Sequence, residues 1–425
     1  MKLFCKIYSL RKKVANKSFT LITLLTLRAI SAWALPDGSL SDTNIQYFGR
    51  WDFSNPTQYQ AYWVGAYIKV NFSGTAVKIR LGNTNNYYVK IDGGNWTSYT
   101  NVTGTLNLTP TPLANGIHTL SVAAGQDYSY VFNFQGISLN QGATTSPPTV
   151  APTLIEFIGD SITCGFLDPQ EDVSAYAWIC SGGLNCEHTQ MAYPGITLVT
   201  GYGYNADKTG MDIQYFKLQP LGYASPASWA FNTYTPKVVV INLGQNDNHF
   251  SVPDATFQSD YTNFMAGVRA KYLNAEIFAM RPFSGAKAAQ TLAAVNARVA
   301  MGDSHVHYID TTTWLSSGDY LDGTHPSASG QTKAANLLKP ILAAYVSASL
   351  PPTIGGLTVN TNGSATVLYA SLSGFNYHVE TTTNLSQPSW AIVPGSVTNI
   401  TGNSVTFTDR ASVISTKRFY RVVSP

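Results

Sequence analysis

At 425 residues the chain is too long for one ordinary domain, and its 44% hydrophobic and 12% aromatic content is ample for folded cores, so two or three domains are expected. Only 12% of residues are charged, against abundant Gly, Thr, Asn, Ser and Tyr; this is typical of extracellular β-rich proteins and gives no support to disorder. The formal charge of +3 is no sign of a nucleic-acid binder, because its source is the amino-terminal segment alone.

Residues 1–34 are predicted to be a secretory signal. Arg11, Lys12, Lys13 and Lys17 make a basic leader, 19–27 an apolar core, and Ala32-Trp33-Ala34 a small-x-small motif with cleavage after Ala34. Arg28 departs from the pattern, and an uncleaved anchor is the competing reading, but the apolar run is shorter than the roughly 20 residues a spanning helix needs. Removing the segment takes away seven Lys and Arg and no acid, turning +3 into −4. A mildly acidic, secreted, periplasmic or cell-surface protein is therefore expected, with no membrane attachment after cleavage and no electrostatic footprint for nucleic acid. Polysaccharide, uncharged or acidic, needs no such footprint.

From 35 to 140 short alternating runs separated by Gly, Asn and Thr predict half-buried strands at 66–72, 76–81 and 87–91, with Asp92-Gly93 as a hairpin turn. With no helical period in sight, this segment is expected to be a β-sandwich. The Pro- and Thr-rich stretch 141–152 reads as a stiff linker. From 153 to 348 the period changes to strands at 154–158, 196–200, 237–243, 275–280 and 305–309, with helices at 254–272, 286–301 and 327–347. Phe257, Tyr261, Phe264 and Val268 form one apolar stripe on the first of these helices. Repeated strand–helix units predict a parallel sheet covered on both faces (an α/β/α layering), with chemistry at the carboxyl ends of its strands. Residues 352–425 return to short strands and predict a small accessory β-sandwich.

The residues that carry chemistry fall at or after those strand ends. Gly159-Asp160-Ser161-Ile162-Thr163 follows the first strand directly and offers a serine at a strand-to-helix turn. A serine hydroxyl is a poor nucleophile until a base takes its proton, so a histidine, an orienting acid and oxyanion donors are required. The chain supplies candidates in order: Gly201 or Gly203, then Asn246 in Gly244-Gln245-Asn246-Asp247, then Asp322-Gly323-Thr324-His325-Pro326. Ser161 as a mere helix cap is the plain alternative, and the two roles are compatible at such a turn. The α/β-hydrolase elbow Gly-x-Ser-x-Gly is disfavoured because its second glycine is missing. Asn246 could simply be a left-handed turn residue; functionally its amide would donate to an oxyanion beside the Ser161 N–H. Asp247 is expected to tie down its loop.

Other polar and aromatic residues have structural readings. His305 and His307 alternate on one strand face, where a metal would need a third ligand that nothing nearby supplies; His188 is read likewise, and His249 lies close enough to Asn246 to line a cleft. Trp178, Trp229 and Trp314 could stack on sugar rings, yet large aromatics are more often core. Cys180 and Cys186 flank a Gly-rich loop and could close a small disulfide, whereas Cys164 is expected to be a buried thiol. No metal or organic cofactor is required.

Taken together, the Ser161, Gly, Asn246 and His325 blocks resemble the SGNH (GDSL) hydrolase superfamily. Gly159-Asp160-Ser161-Ile162-Thr163-Cys164-Gly165-Phe166 and the preceding β segment, with Gly49-Arg50-Trp51 and Tyr62-Trp63-Val64-Gly65, are most similar to carbohydrate esterase family 2. The resemblance implies a jelly-roll domain before the hydrolase, Ser161 as nucleophile and His325 as base, and Asp322 as the acid at the superfamily's spacing. It also implies an oxyanion hole of Ser161, Gly201 (or Gly203) and Asn246. Because some members of that family work with a Ser-His dyad supported by backbone carbonyls, the resemblance also implies that loss of Asp322 can be tolerated. The expected activity is removal of O-acetyl groups from xylan- or glucomannan-type polysaccharide by a monomeric acetylxylan-esterase-like enzyme. A lipid or aryl esterase on the same scaffold, or a non-catalytic glycan-binding or adhesion protein, is the rival reading.

Overall fold

The computed structural model describes residues 37–423 except 126–130, 205, 221, 347–353, 371–375, 385–388, 397, 400–403 and 411–417. The expected signal, 1–34, lies outside the described residues.

The first domain is an antiparallel β structure built from β1 (Gln46–Phe48), β2 (Trp51–Asp52), β3 (Tyr59–Ala61), β4 (Tyr67–Gly74), β5 (Val77–Ile91), β6 (Thr97–Asn107), β7 (Gly116–Gly125), β8 (Phe132–Leu139) and β9 (Thr145–Ser146). Its strand order is β1-β4-β7-β5-β8-β3-β2, with β6 on β5 and β9 on β4. The two strands expected at 76–81 and 87–91 are one bent strand. Through Leu81 β5 pairs β8, and from Asn86 it pairs β7, the register shifting between. A bulge of this kind bends the strand so that its two halves take different partners, and Val77, Ile79 and Leu81 share one core with Tyr87 and Val89. The stretch expected as linker adds β9 to the edge of β4.

The second domain follows the expected alternation. It comprises β10 (Leu154–Gly159), α1 (Ser161–Cys164), α2 (Tyr176–Gly183), β11 (Glu187–Ala192), α3 (Met211–Gln214), β12 (Val238–Asn242), α4 (Gln245–His249), α5 (Asp254–Lys271), β13 (Glu276–Met280), α6 (Ala288–Ala300), β14 (Val306–Ile309) and α7 (Ala328–Val346). The sheet is wholly parallel in the order β11-β10-β12-β13-β14. Alternation along β12 assigns the two faces: Val239 and Ile241 enter a core with Phe257, Tyr261 and Ala294 from α5 and α6. Val238 and Val240 enter another with Tyr176, Leu338 and Leu342 from α2 and α7.

One strand lies where the sequence pattern does not put it. The second strand is 187–192, not 196–200, and Glu-His-Thr-Gln-Met-Ala is buried at every position. Three of its polar side chains find partners in place: Lys69 and Tyr67 of the first domain bind Glu187, Thr189 donates to Glu156, and Gln190 donates to the Thr163 carbonyl. An edge strand covered by another domain reads as a loop in sequence because its burial is paired rather than apolar.

The same seam holds a buried cation. Arg50 is fully buried among the rings of Tyr215, Phe231, Trp229 and Trp63, at 4.7, 5.1, 5.5 and 5.7 Å, and donates to the carbonyls of Tyr215 and Lys217. Nearby Glu156, also fully buried, accepts from the hydroxyls of Tyr215 and Tyr234.

The third region pairs β15 (Ile354–Val359), β16 (Ala365–Ala370) and β20 (Ser404–Asp409) in one antiparallel sheet, and β17 (Asn376–Thr382) with β18 (Ala391–Ile392), β19 (Thr398–Asn399) and β21 (Phe419–Val423) in another. Val367, Tyr369, Val379 and Val422 form its core.

Candidate active site

Ser161 opens the single turn α1 at the carboxyl end of β10. Asp160 builds that turn: its backbone is extended, its Oδ1 accepts the Ile162 N–H at 3.0 Å, and its carbonyl accepts the N–H groups of Thr163 and Cys164, both at 3.1 Å. Gly159 is required because a Cβ there would lie 2.0 Å from Thr163 Oγ1. Gly165 ends the turn in the left-handed region, donating back to the Ile162 and Ser161 carbonyls.

His325 arrives from the loop before α7. Asp322 Oδ1 accepts the N–H groups of Thr324 and His325 at 3.0 and 2.8 Å, which folds the segment into a tight turn, and Oδ2 meets His325 Nδ1 at 2.7 Å. The other ring nitrogen, Nε2, lies 2.9 Å from Ser161 Oγ. An ionised carboxylate can only accept, so Nδ1 donates to Asp322 and Nε2 is left to accept the serine proton. Burial would raise the Asp322 carboxyl, but its bonds from the His325 backbone and ring and the Thr324 N–H outweigh this and hold it down at about 2. The Phe166 ring, 5.1 Å from the imidazole, packs against it.

Asn246 sits in α4, just beyond β12. Its Nδ2 donates to the Ile196 carbonyl at 2.9 Å and, more loosely, to Asp160 Oδ2 at 3.3 Å. The longer contact is the one an incoming oxyanion can take over. Burial raises the Asp160 carboxyl to about 7, with the Ile162 N–H opposing and the charge of Asp247 adding to it. Asp247 is fully buried and accepts the N–H groups of Leu198 and Val199 at 2.9 and 3.0 Å, so it anchors the 196–200 turn; burial lifts it to about 6.

Ser161, Asn246 and His325 thus line one cleft of about 610 Å3, with Gly195, Tyr204 and His249 on its walls. Gly201 is not brought to this place. Its N–H donates to the Lys208 carbonyl at 2.8 Å, so that donor is already engaged, and neither it nor Gly203 lines the cleft. The glycine that lines the cleft with Ser161 is Gly195, in the turn after β11. The correction follows from the strand assignment: moving the second strand to 187–192 moves its following glycine from Gly201 to Gly195.

Tyr204 and Gly195 are absent from the sequence-based site. Tyr204 is exposed, its hydroxyl 2.9 Å from His249 Nε2 and its ring stacked on that imidazole. The remaining candidates pack elsewhere. His305 and His307 both bind Glu276, at 2.8 and 2.7 Å. Trp229 lies against Arg50 and Trp314 near Phe283. His188 and Trp178 pack together at the domain seam. Cys180 and Cys186 are free thiols, so the small disulfide that the sequence allows between them is not formed, and Cys164 and Cys180 are buried; burial pushes Cys180 up to about 12 and Cys186 to about 11.

Comparison with known proteins places these features in context. The profile described as carbohydrate esterase 2 N-terminal matches residues 47–148, and that of the GDSL-like lipase/acylhydrolase family matches 157–333. The cellulase/esterase CelE of Acetivibrio thermocellus is 32% identical over 321 residues, 70% of this chain; the chain spans only 39% of that protein's length. A family two carbohydrate esterase from Clostridium thermocellum, solved in complex with cellohexaose, superposes with a TM-score of 0.64 at 28% identity, covering 71% of this chain and 98% of the other. The acetyl xylan esterase Est2A of Butyrivibrio proteoclasticus shares the fold, with a TM-score of 0.62 at 18% identity over 72% of this chain and 96% of its own.

Proposed function

The chain belongs to the SGNH (GDSL-like) hydrolases and, through its amino-terminal domain, to carbohydrate esterase family 2, and from that premise we propose that it is an exported esterase removing O-acetyl groups from xylan- or glucomannan-type polysaccharide. The observation that carries the reading is the line Ser161 Oγ, His325, Asp322, with spacings of 2.9 and 2.7 Å, opening on a cleft.

In this reading Ser161 Oγ attacks the acetyl carbonyl as His325 Nε2 takes its proton, and Asp322 stabilises the imidazolium. The oxyanion is received by Asn246 Nδ2, released from Asp160, together with the backbone N–H groups of Ser161 and Gly195. His325 then protonates the departing sugar oxygen, and the acetyl–Ser161 ester is hydrolysed by water activated in the same way. The polysaccharide substrate is supported by the relatives' carbohydrate chemistry, and export by the leader expected at 1–34.

Acetate release from acetylated xylan and acetylated glucomannan, with Ser161→Ala as control, tests the proposal. Release that disappears in the variant is expected. Absence of acetate from both polymers would overturn the substrate, and activity surviving the substitution would overturn the nucleophile.

A further inference from the structure

A second cavity, of about 260 Å3, opens at the seam between the first two domains, beside the amino-terminal end of β11. The cleft at Ser161 lies beyond the carboxyl end of the same strand. At ~3.3 Å per residue Glu187 and Ala192 are roughly 17 Å apart, so the two cavities are separate sites.

Two half-buried tryptophans wall the second cavity: Trp96 from the β domain and Trp178 from α2, their ring centroids 5.2 Å apart and their planes at 85°. They form an indole corner on which the C–H face of a pyranose ring can pack while its hydroxyls face outward. The charges around this corner do not cancel. Glu187 is neutralised by Lys69 Nζ, at 2.6 and 2.8 Å from its two oxygens, and also accepts from the Tyr67 hydroxyl and the Ala151 N–H. Lys90, two strands from Lys69 in the same sheet, forms no ion pair among the described residues; its ammonium lies 4.7 Å from the Trp96 ring centroid. Burial, and then repulsion from Lys69, hold Lys90 below the ordinary lysine range, as expected of a cation that lacks an anion. His188, 3% exposed, also lines the cavity, and its Nε2 has no hydrogen-bond partner among the described residues.

We propose that this cavity binds a single hexuronate residue of an acidic polysaccharide, the pyranose seated on Trp96 and Trp178 and its carboxylate on Lys90. The volume suits one sugar residue, and the site is independent of the esterase reading, since none of its groups touches Ser161 or His325.

Calorimetric titration of the intact protein with D-glucuronate and with D-glucose tests it. Glucuronate is expected to bind at least about ten-fold tighter than glucose, the value of one charge-assisted hydrogen bond, and to weaken as salt rises. Lys90→Gln and Trp96→Ala should each lower the affinity about ten-fold or more, Lys90→Arg should retain most of it, and hydrolysis of a small acetyl ester should be unchanged in all three. Glucuronate that binds no tighter than glucose, binding that survives Lys90→Gln, or binding lost in Tyr204→Ala at the other cleft would each overturn the assignment.

Discussion

Asn246→Ala isolates the side-chain amide proposed to receive the oxyanion. The amide's shorter bond, to the Ile196 carbonyl at 2.9 Å, fixes its orientation, and its second proton lies 3.3 Å from Asp160 Oδ2, a weak contact that a developing oxyanion can replace at little cost. Removing one such donor costs about 2.7–4 kcal/mol of transition-state stabilisation, a loss of roughly 10²–10³ in kcat. KM should change little, because the ground-state carbonyl gains less from the donor than the oxyanion does. The truncation also leaves the Ile196 carbonyl without this donor, for which about 1–3 kcal/mol of folding stability is the expected cost. Kinetics on a soluble aryl acetate, with a denaturant melt of the same preparation, separate the two effects. Asn246→Asp should be worse than the alanine variant, since it sets a second carboxylate beside Asp160. A folded Asn246→Ala protein with more than about a tenth of the parental kcat would refute the reasoning.

Other expectations follow from neighbouring groups. Gly195→Ala should abolish acetate release, because its φ is +77° and a Cβ would lie 2.9 Å from the Tyr204 ring, whereas Gly201→Ala, at φ +99° with open space around it, should lower the melting temperature and leave kcat nearly intact. Asp160 and Asp247, raised to about 7 and 6, hold protons more tightly folded than unfolded, so their contribution is full below about pH 4 and is lost as pH rises through 6 to 7. Denaturant midpoints measured from pH 5 to 8 should therefore decline, and should decline less in Asp247→Asn. Asp322, depressed to about 2, acts in the opposite sense: its contribution is present above about pH 4 and disappears as pH falls through 2. Arg50→Ala removes the buried cation beside Glu156 and should lower unfolding stability by about 3–5 kcal/mol, measured by chemical denaturation.

The sequence makes the sheet and the relay legible for the same reason: the signals are local. The 238–241 run is uniformly apolar because both faces of β12 are covered, and the α5 stripe of Phe257, Tyr261, Phe264 and Val268 repeats at helical spacing because only one face is. Asp322 and His325 are three residues apart, so one turn brings them together. What escaped is non-local. β11 is buried through pairing with Lys69 and Tyr67, more than a hundred residues earlier, and no window around 187–192 contains that information. Ile196, Leu198 and Val199 look like a strand because they plug the core as a turn, its backbone held by Asp247. That exchange moves the glycine that lines the cleft from position 201 to position 195. The merged strand β5 has a similar cause: 82–85 carries turn residues because the strand bends there, and chain reversal and bulge use the same residue types.

The central claim is that Ser161 carries the acyl group between two chemical steps. Rapid acid quench during turnover of an acetyl ester, followed by peptide mass mapping, examines it directly. The account predicts one acetyl group on the peptide containing Ser161, absent from Ser161→Ala and accumulating in a His325→Ala preparation only at a greatly reduced rate. Undiminished turnover with the acetyl group on another residue, or with none on the enzyme at any quench time, would contradict it.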